Sequence, residues 1–372
     1  MPANADVLTA LADVEEPELG RSVVDLGMVA GVATDGGLVA ISLALPLVGD
    51  ERAERLRALI SAAVLGATDA GRVEFDVRAM TPEEQKACAR VLRREPAPNP
   101  LKIIDANAPA RPPERPNPFL DSATRVIAVS SGKGGVGKSS VTTNLAIALA
   151  ARGHRVAAVD ADVWGFSMPR MLGIQHPPDL VDDLIVPPSA NGVRLISMGF
   201  FASEEQAVIW RGPMLHKALE QFLTDVHWGE TDFLVVDMPP GTGDVALSMA
   251  QFVPRAEVIV VTTPQTAAQR VAQRAAAMAA KVDLEVIGVI ENMSWFTGDD
   301  GKRYELFGAG GGRELADRLG VPLLGQVPLV PELRIGGDAG LPIVVAHPED
   351  EASVAFREIA AAVEAGAERP AR

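Results

Sequence analysis

The eight residues Gly132-Lys133-Gly134-Gly135-Val136-Gly137-Lys138-Ser139 hold four glycines, two lysines and a hydroxyl. They follow the β-branched apolar run 126–129 and lead into a helical stretch at 144–152. The glycines let successive backbone N–H groups turn toward one anion without Cβ clashes, and the following helix N-terminus adds its partial positive charge. The segment reads as a phosphate cradle. Its spacing satisfies G-x-x-x-x-G-K-[ST], with the strand before and the helix after that the pattern requires. The residues expected to surround a bound nucleotide are Gly132, Lys133, Gly134, Gly135, Val136, Gly137, Lys138, Ser139 and Ser140. Lys138 would bridge the β- and γ-phosphates and Ser139 would ligate Mg2+.

Other polar residues stand just after expected strands, where α/β sheets bind ligands. Asp160 and Asp162 follow a strand at 155–160, in a segment Asp160-Ala161-Asp162-Val163-Trp164-Gly165 whose glycine permits a mobile switch. Asp237-Met238-Pro239-Pro240-Gly241-Thr242-Gly243-Asp244 follows the apolar strand at 233–236. Asp160 and Asp237 are expected near the metal's water shell, and Asp162 is expected to orient or activate the attacking water. Asn292, in Glu291-Asn292-Met293-Ser294, carries an amide that both donates to and accepts from a purine edge.

These residues need a scaffold. At 372 residues the chain exceeds one usual hydrophobic core, so two domains are expected. Residues 1–95 read as a small α+β domain, with helices at 6–14, 50–65 and from Pro82, and strands at 28–34, 38–45 and 72–80. A proline-rich linker is expected at 96–121. Residues 122–372 alternate strand and helix, with strands at 125–130, 155–160, 194–198, 233–237, 257–262, 285–291 and 323–326. Runs such as 233–236 and 258–261 are apolar on both faces and belong inside a parallel sheet covered on both sides. The fold class is α/β, a mostly parallel doubly wound sheet with a small N-terminal α+β domain. The stretch 266–280 reads as a helix packed on the sheet, and 307–312 as a flexible glycine loop before a helix at Arg313.

Composition narrows the function. The net charge of −15 disfavours nucleic-acid binding, which needs Lys and Arg to neutralise phosphates. No apolar run reaches membrane-helix length and the first 20 residues lack a signal-peptide core, so a cytoplasmic protein without a membrane partner is expected. Cys88 is the only cysteine, and the five histidines show no zinc-like spacing.

The second lysine of the loop, Lys133, resembles the deviant Walker A of the MinD, ParA, Get and nitrogenase iron-protein group of P-loop NTPases. That resemblance implies a homodimer in which Lys133 of one subunit crosses to the other's nucleotide and neutralises transition-state charge. The loop, Asp160-Ala161-Asp162, Trp210-Arg211-Gly212-Pro213-Met214, the Asp237 segment and Glu291-Asn292-Met293-Ser294 together resemble the Mrp/ApbC family of ATPases, regarded as iron–sulfur cluster carriers. The segments 14–20 and 24–29 resemble the small iron–sulfur-assembly-type domain found at the N-terminus of many of its members. The resemblance implies ATP and Mg2+ as ligands, ATP hydrolysis, and apo iron–sulfur proteins or assembly factors as partners.

Family members that carry a cluster usually have a Cys-x-x-Cys soon after the Asn-Met-Ser motif. This chain has Ser294-Trp295-Phe296-Thr297-Gly298-Asp299-Asp300-Gly301 there, and Leu45-Pro46-Leu47-Val48 where the small domain's usual cysteine would stand. A [4Fe–4S] cluster wants four thiolates, whereas one cysteine per chain gives a dimer two. Any cluster would need partner or non-cysteine ligands, and Cys88 reads as a packing residue. The alternative is a MinD-like nucleotide-dependent protein-interaction switch without a cluster.

Overall fold

The computed structural model describes residues 4–35, 37–46, 50–93, 117–120, 122–163, 165–201, 212–240 and 244–366. Most of the expected linker, Leu47-Val48, Trp164, Trp210-Arg211 and Gly241-Thr242-Gly243 lie outside them. The described residues form two compact units.

The first unit contains helix α1 (Asn4–Ala12), strands β1 (Val29–Asp35) and β2 (Leu38–Leu45), helix α2 (Asp50–Ala67), strand β3 (Arg72–Ala79) and helix α3 (Pro82–Arg93). Strand β2 is central, antiparallel to β1 and parallel to β3, with Leu38 opposite Arg72 and Leu45 opposite Ala79. Parallel neighbours require a crossover, and α2 provides it. Ala53, Leu56, Ile60 and Val64 recur along α2 at helical period and are buried with Val39, Ile41 and Leu43 of β2. Cys88 lies on the buried face of α3 beside Ala89 and Leu92.

Residues Pro178–Val186 and Asp225–Gly229 also belong to this unit. Asp179–Val181 and Leu184–Val186 form a hairpin turned by Asp182, at φ 58°, and Arg52 donates to Asp179 at 3.0 Å. Val181, Leu184 and Val186 join the core around Cys88. Strands of three residues give too little period to be read along the chain.

The second unit is built on strands β4 (Arg125–Ser131), β5 (Val156–Asp160), β6 (Ser189–Ala190), β7 (Val193–Ser197), β8 (Phe233–Asp237), β9 (Glu257–Thr262), β10 (Glu285–Asn292) and β11 (Leu323–Val327). Their order is β6-β7-β5-β8-β4-β9-β10-β11, and only the edge strand β6 is antiparallel. The strand β4 sits between neighbours that continue in opposite directions along the chain, which makes its carboxyl end the topological switch point. Helix α4 (Lys138–Ala151) starts there. It is buried nearly all round, as a central helix without a polar face must be.

Parallel register brings the strand ends into one row. Asp237 pairs with Asp160 and Val129, Asp160 with Ser197, and Thr262 with Glu291. Ser131, Asp160, Ser197, Asp237, Thr262, Glu291 and Asn292 are all buried polar residues of this edge. Strand bounds differ from the expected ones by a residue at most. The glycine loop at 307–312 differs more: helix α5 (Gly311–Leu319) already begins at Gly311, and the Gly312 N–H donates to the buried Glu291 carboxylate. A Cβ on Gly312 would stand 2.6 Å from Glu291 Cβ, so this end of the loop is packed rather than free.

Helix α6 (Glu351–Ala365) packs against α4 and places Phe356, 0% exposed, in the core with Leu145 and Leu149. Phe356→Ala should cost about 3–5 kcal/mol through lost burial and the cavity left behind. Chemical denaturation would read that loss as a lowered midpoint, and an unchanged midpoint would contradict this packing.

Candidate functional site

The loop after β4 is shaped by close approaches. A Cβ on Gly132 would stand 2.2 Å from the Val271 backbone, in the helix Thr266–Lys281 that lies against it. Gly135 and Gly137 have φ of 81° and 79°, a region that L side chains avoid. A Cβ at Gly134 or Gly135 would meet open space, so the loop keeps an approach for a ligand along its exposed side.

Lys138 opens α4 and is only 6% exposed. Its Nζ lies 2.7 Å from Asp237 Oδ2, 3.5 Å from Asp162 Oδ2 and 3.4 Å from Ser139 Oγ. The Ser139 hydroxyl donates to Asp237 Oδ2 at 2.5 Å. Thr142 completes the group, its Oγ1 lying 2.7 Å from Asp237 Oδ1 and 2.9 Å from the Lys138 carbonyl. Thr142 was not singled out in the sequence, although its place one turn beyond Lys138 on the same helix face was a usable signal. Lys138, Ser139, Asp162 and Asp237 thus converge at the start of one helix.

Asp160, fully buried, is engaged by its own loop. Its Oδ2 accepts from the Ser167 and Met168 amides at 3.1 and 3.2 Å and from Ser197 Oγ at 3.0 Å. Burial first, and the neighbouring Asp237 charge second, push its pKa up to about 7. Asn292 reaches the loop, where Nδ2 donates to the Val136 carbonyl at 2.9 Å. Ser140 presents its carbonyl to Asn144 Nδ2 at 2.9 Å, inside the helix. Lys133 points elsewhere, its Nζ 3.4 Å from Gln265 Oε1.

The donor set fits the expected ligands. The open glycine loop and the Lys138 ammonium suit a polyphosphate, and the converging oxygens of Ser139 and Asp237 suit a hard divalent cation. An iron–sulfur cluster has no such match. Cys88 is 1% exposed, and burial pushes its thiol up to about 12. No group of three or more His, Cys, Asp or Glu residues among those described could hold a metal ion. After Asn292-Met293-Ser294 the chain closes a small hairpin, Phe296–Thr297 against Arg303–Tyr304, with Arg303 4.1 Å above the Trp295 ring.

A mostly parallel sheet with this loop at its switch point, a buried lysine and a strand-end aspartate define a P-loop NTPase. Comparison with known proteins narrows the class. The family model described as ParA, NUBPL iron-transfer P-loop NTPase, matches residues 122–364, and one described as iron–sulfur cluster assembly protein matches residues 4–75. The chain belongs to the NUBPL iron-transfer P-loop NTPase family.

An iron–sulfur cluster carrier protein of Mycobacterium tuberculosis is 44% identical over 366 residues, covering 96% of this chain and 92% of its own. One of Synechocystis is 40% identical over 363 residues, covering 95% of each. Among solved structures, a nucleotide-binding protein of Archaeoglobus fulgidus in complex with ADP is similar at 33% identity and TM-score 0.53, over 61% of this chain and 89% of that one. The septum site-determining protein MinD of Pyrococcus horikoshii, complexed with Mg-ADP, is similar at 26% identity and TM-score 0.51, over 66% and 98%. No helix of the described residues is long and apolar enough to cross a membrane.

The burial of Cys88 has a direct readout. The native protein should resist a thiol-specific chromogenic reagent and react at once when denatured. Rapid labelling of the native state would contradict a packing role.

Proposed function

We propose that the chain is a Mg2+-dependent ATPase that acts as a homodimer in the assembly or transfer of iron–sulfur clusters to apo-proteins in the cytoplasm. The observation that carries the reading is the convergence of Lys138, Ser139 and Asp237 on one phosphate loop, in a chain whose relatives are named iron–sulfur cluster carriers. Catalysis of phosphoryl transfer is positioning and charge stabilisation. Lys138 meets the β- and γ-phosphates, exchanging part of its contact with Asp237 for phosphate oxygens. Ser139 and Asp237 would hold Mg2+, with Asp160 behind them, and the ion when bound supplies positive charge to the phosphate oxygens. Asp162, 3.5 Å from the Lys138 ammonium, orients the attacking water. The loop backbone from Gly132 to Ser140 cradles the phosphates. Lys133, which makes no ion pair with the carboxylates of this cluster, is free to serve the partner's nucleotide. The Asn292 Oδ1, buried without a hydrogen-bond partner among the described residues, supplies an acceptor for an N–H of the base.

The cluster is cargo in this reading, held at least partly by ligands from another protein. The buried Cys88 favours that form and keeps a second reading in play, a nucleotide-dependent interaction switch without a cluster. Metal analysis of the chain purified alone and with an apo-protein client separates the two.

Lys138→Ala should abolish Mg-ATP binding in a calorimetric titration, because the loop loses its only buried cation toward the phosphates. Lys133→Ala should bind Mg-ATP as the wild type does and lose most of its turnover, read as phosphate release at saturating ATP. Unchanged affinity in the first variant would remove the nucleotide assignment, and unchanged kcat in the second would remove the shared site.

Anaerobic reconstitution of the chain with iron and sulfide, followed by desalting, should leave no stable [4Fe–4S] cluster. About four irons per dimer with a broad visible absorbance band, retained in Cys88→Ser, would show that other groups ligate a cluster.

A further inference from the structure

Strand β10 ends on a side chain that is tied to the phosphate loop. Asn292 is 2% exposed and donates from Nδ2 to the carbonyl of Val136, itself 2% exposed, at 2.9 Å. We propose that Asn292 is a positioning residue for the phosphate loop, fixing the Val136–Gly137 peptide so that the loop presents its N–H groups to an anion whatever base the nucleotide carries. The inference rests on the nucleotide reading above and adds to it a role that does not involve the base.

Three observations converge. In a trans peptide the C=O and the following N–H point opposite ways, so holding the Val136 carbonyl on Asn292 turns the Gly137 N–H away from Asn292. A carbonyl left to rotate toward the bound phosphates would instead repel them. Second, a Cβ on Gly137 would stand 2.2 Å from Asn292 Nδ2, so the amide occupies the space that a side chain at 137 would need. The loop glycine and the asparagine are therefore a matched pair.

Third, Asn292 is held by its neighbours rather than carried on a flexible arm. The Glu291 carboxylate accepts from the Gly312 N–H and from Gln326 Nε2, the latter at 2.6 Å. Met293 turns the chain at φ 57°, and Ser294 closes the turn, donating from its amide to the Val327 carbonyl and from Oγ to the Glu291 carbonyl, both at 3.0 Å. A donor so fixed restrains a glycine loop that is otherwise the most conformationally free kind of backbone. The other end of the amide, Oδ1, is buried with no hydrogen-bond partner among the described residues, so the contact to Val136 is the one that holds the side chain's amide.

The test uses a ligand without a base. Wild type, Asn292→Ala and Asn292→Asp are titrated with Mg-ATP and with Mg-tripolyphosphate, and thermal melts establish that each variant is folded. Asn292→Ala should weaken tripolyphosphate by about five- to tenfold, the worth of one neutral hydrogen bond. Asn292→Asp should weaken it further, since a carboxylate oxygen then faces the Val136 carbonyl, and it decides the question alone if the alanine variant does not fold. Tripolyphosphate affinity unchanged in a folded variant, whatever happens to ATP, would overturn the proposal and leave Asn292 to the base alone. Lys138→Ala is titrated alongside. If it bound both ligands as the wild type does, the nucleotide reading itself would fail, an outcome distinct from failure of the brace.

Discussion

The contact on which the rest of this structure depends is the buried ion pair between Lys138 and Asp237. An ammonium taken out of water costs several kcal/mol unless its partner is well placed and its other hydrogen-bonding groups are satisfied. Here a carboxylate stands 2.7 Å away, and that carboxylate is in turn held by Ser139 and Thr142. One partner begins the central helix and the other ends a central strand. The pair therefore fixes how α4 meets the sheet, and it leaves a cation at the mouth of a glycine loop. What stabilises the helix start is the same group that makes the loop fit for phosphate.

The parallel sheet explains why so many polar groups accumulate at that place. Each strand is covered on both faces and has only its ends for polar chemistry, and in-register parallel strands put those ends side by side. Asp160 shows the cost of this crowding. Buried next to Asp237, it is raised in pKa despite four donors from its own loop and from Ser197. Two carboxylates on neighbouring strands concentrate negative charge at this edge, and the Lys138 ammonium, 2.7 Å from Asp237, offsets part of it.

Much of this was legible in the chain because the relevant patterns are local. The phosphate loop is contiguous, the strands that border it are apolar on both faces, and Asp160, Asp237 and Asn292 stand at their expected ends. The rest depends on pairs far apart in sequence. Nothing in the run around Ser197 announces that its hydroxyl serves Asp160, 37 residues away, and nothing near Gln265 announces Lys133. Nor does anything in the run around Asn292 announce that its amide nitrogen donates to the Val136 carbonyl, 156 residues away, a contact set by tertiary register rather than by residue type. The short hairpin of Asp179–Val181 and Leu184–Val186 was missed because two triplets carry no period, and the start of α5 because Gly311-Gly312 looks like a loop until the carboxylate that receives the Gly312 N–H is known.

The sealed thiol of Cys88 has a consequence for how this protein meets oxidants. Oxidants reach sulfur through exposed thiolate, and the sulfenic, disulfide and sulfinic products follow from that first step. A chain whose single sulfhydryl is 1% exposed and held in its protonated form offers peroxide no such entry. Oxidation at sulfur is thereby left to the eleven methionines, whose sulfoxides form without a thiolate.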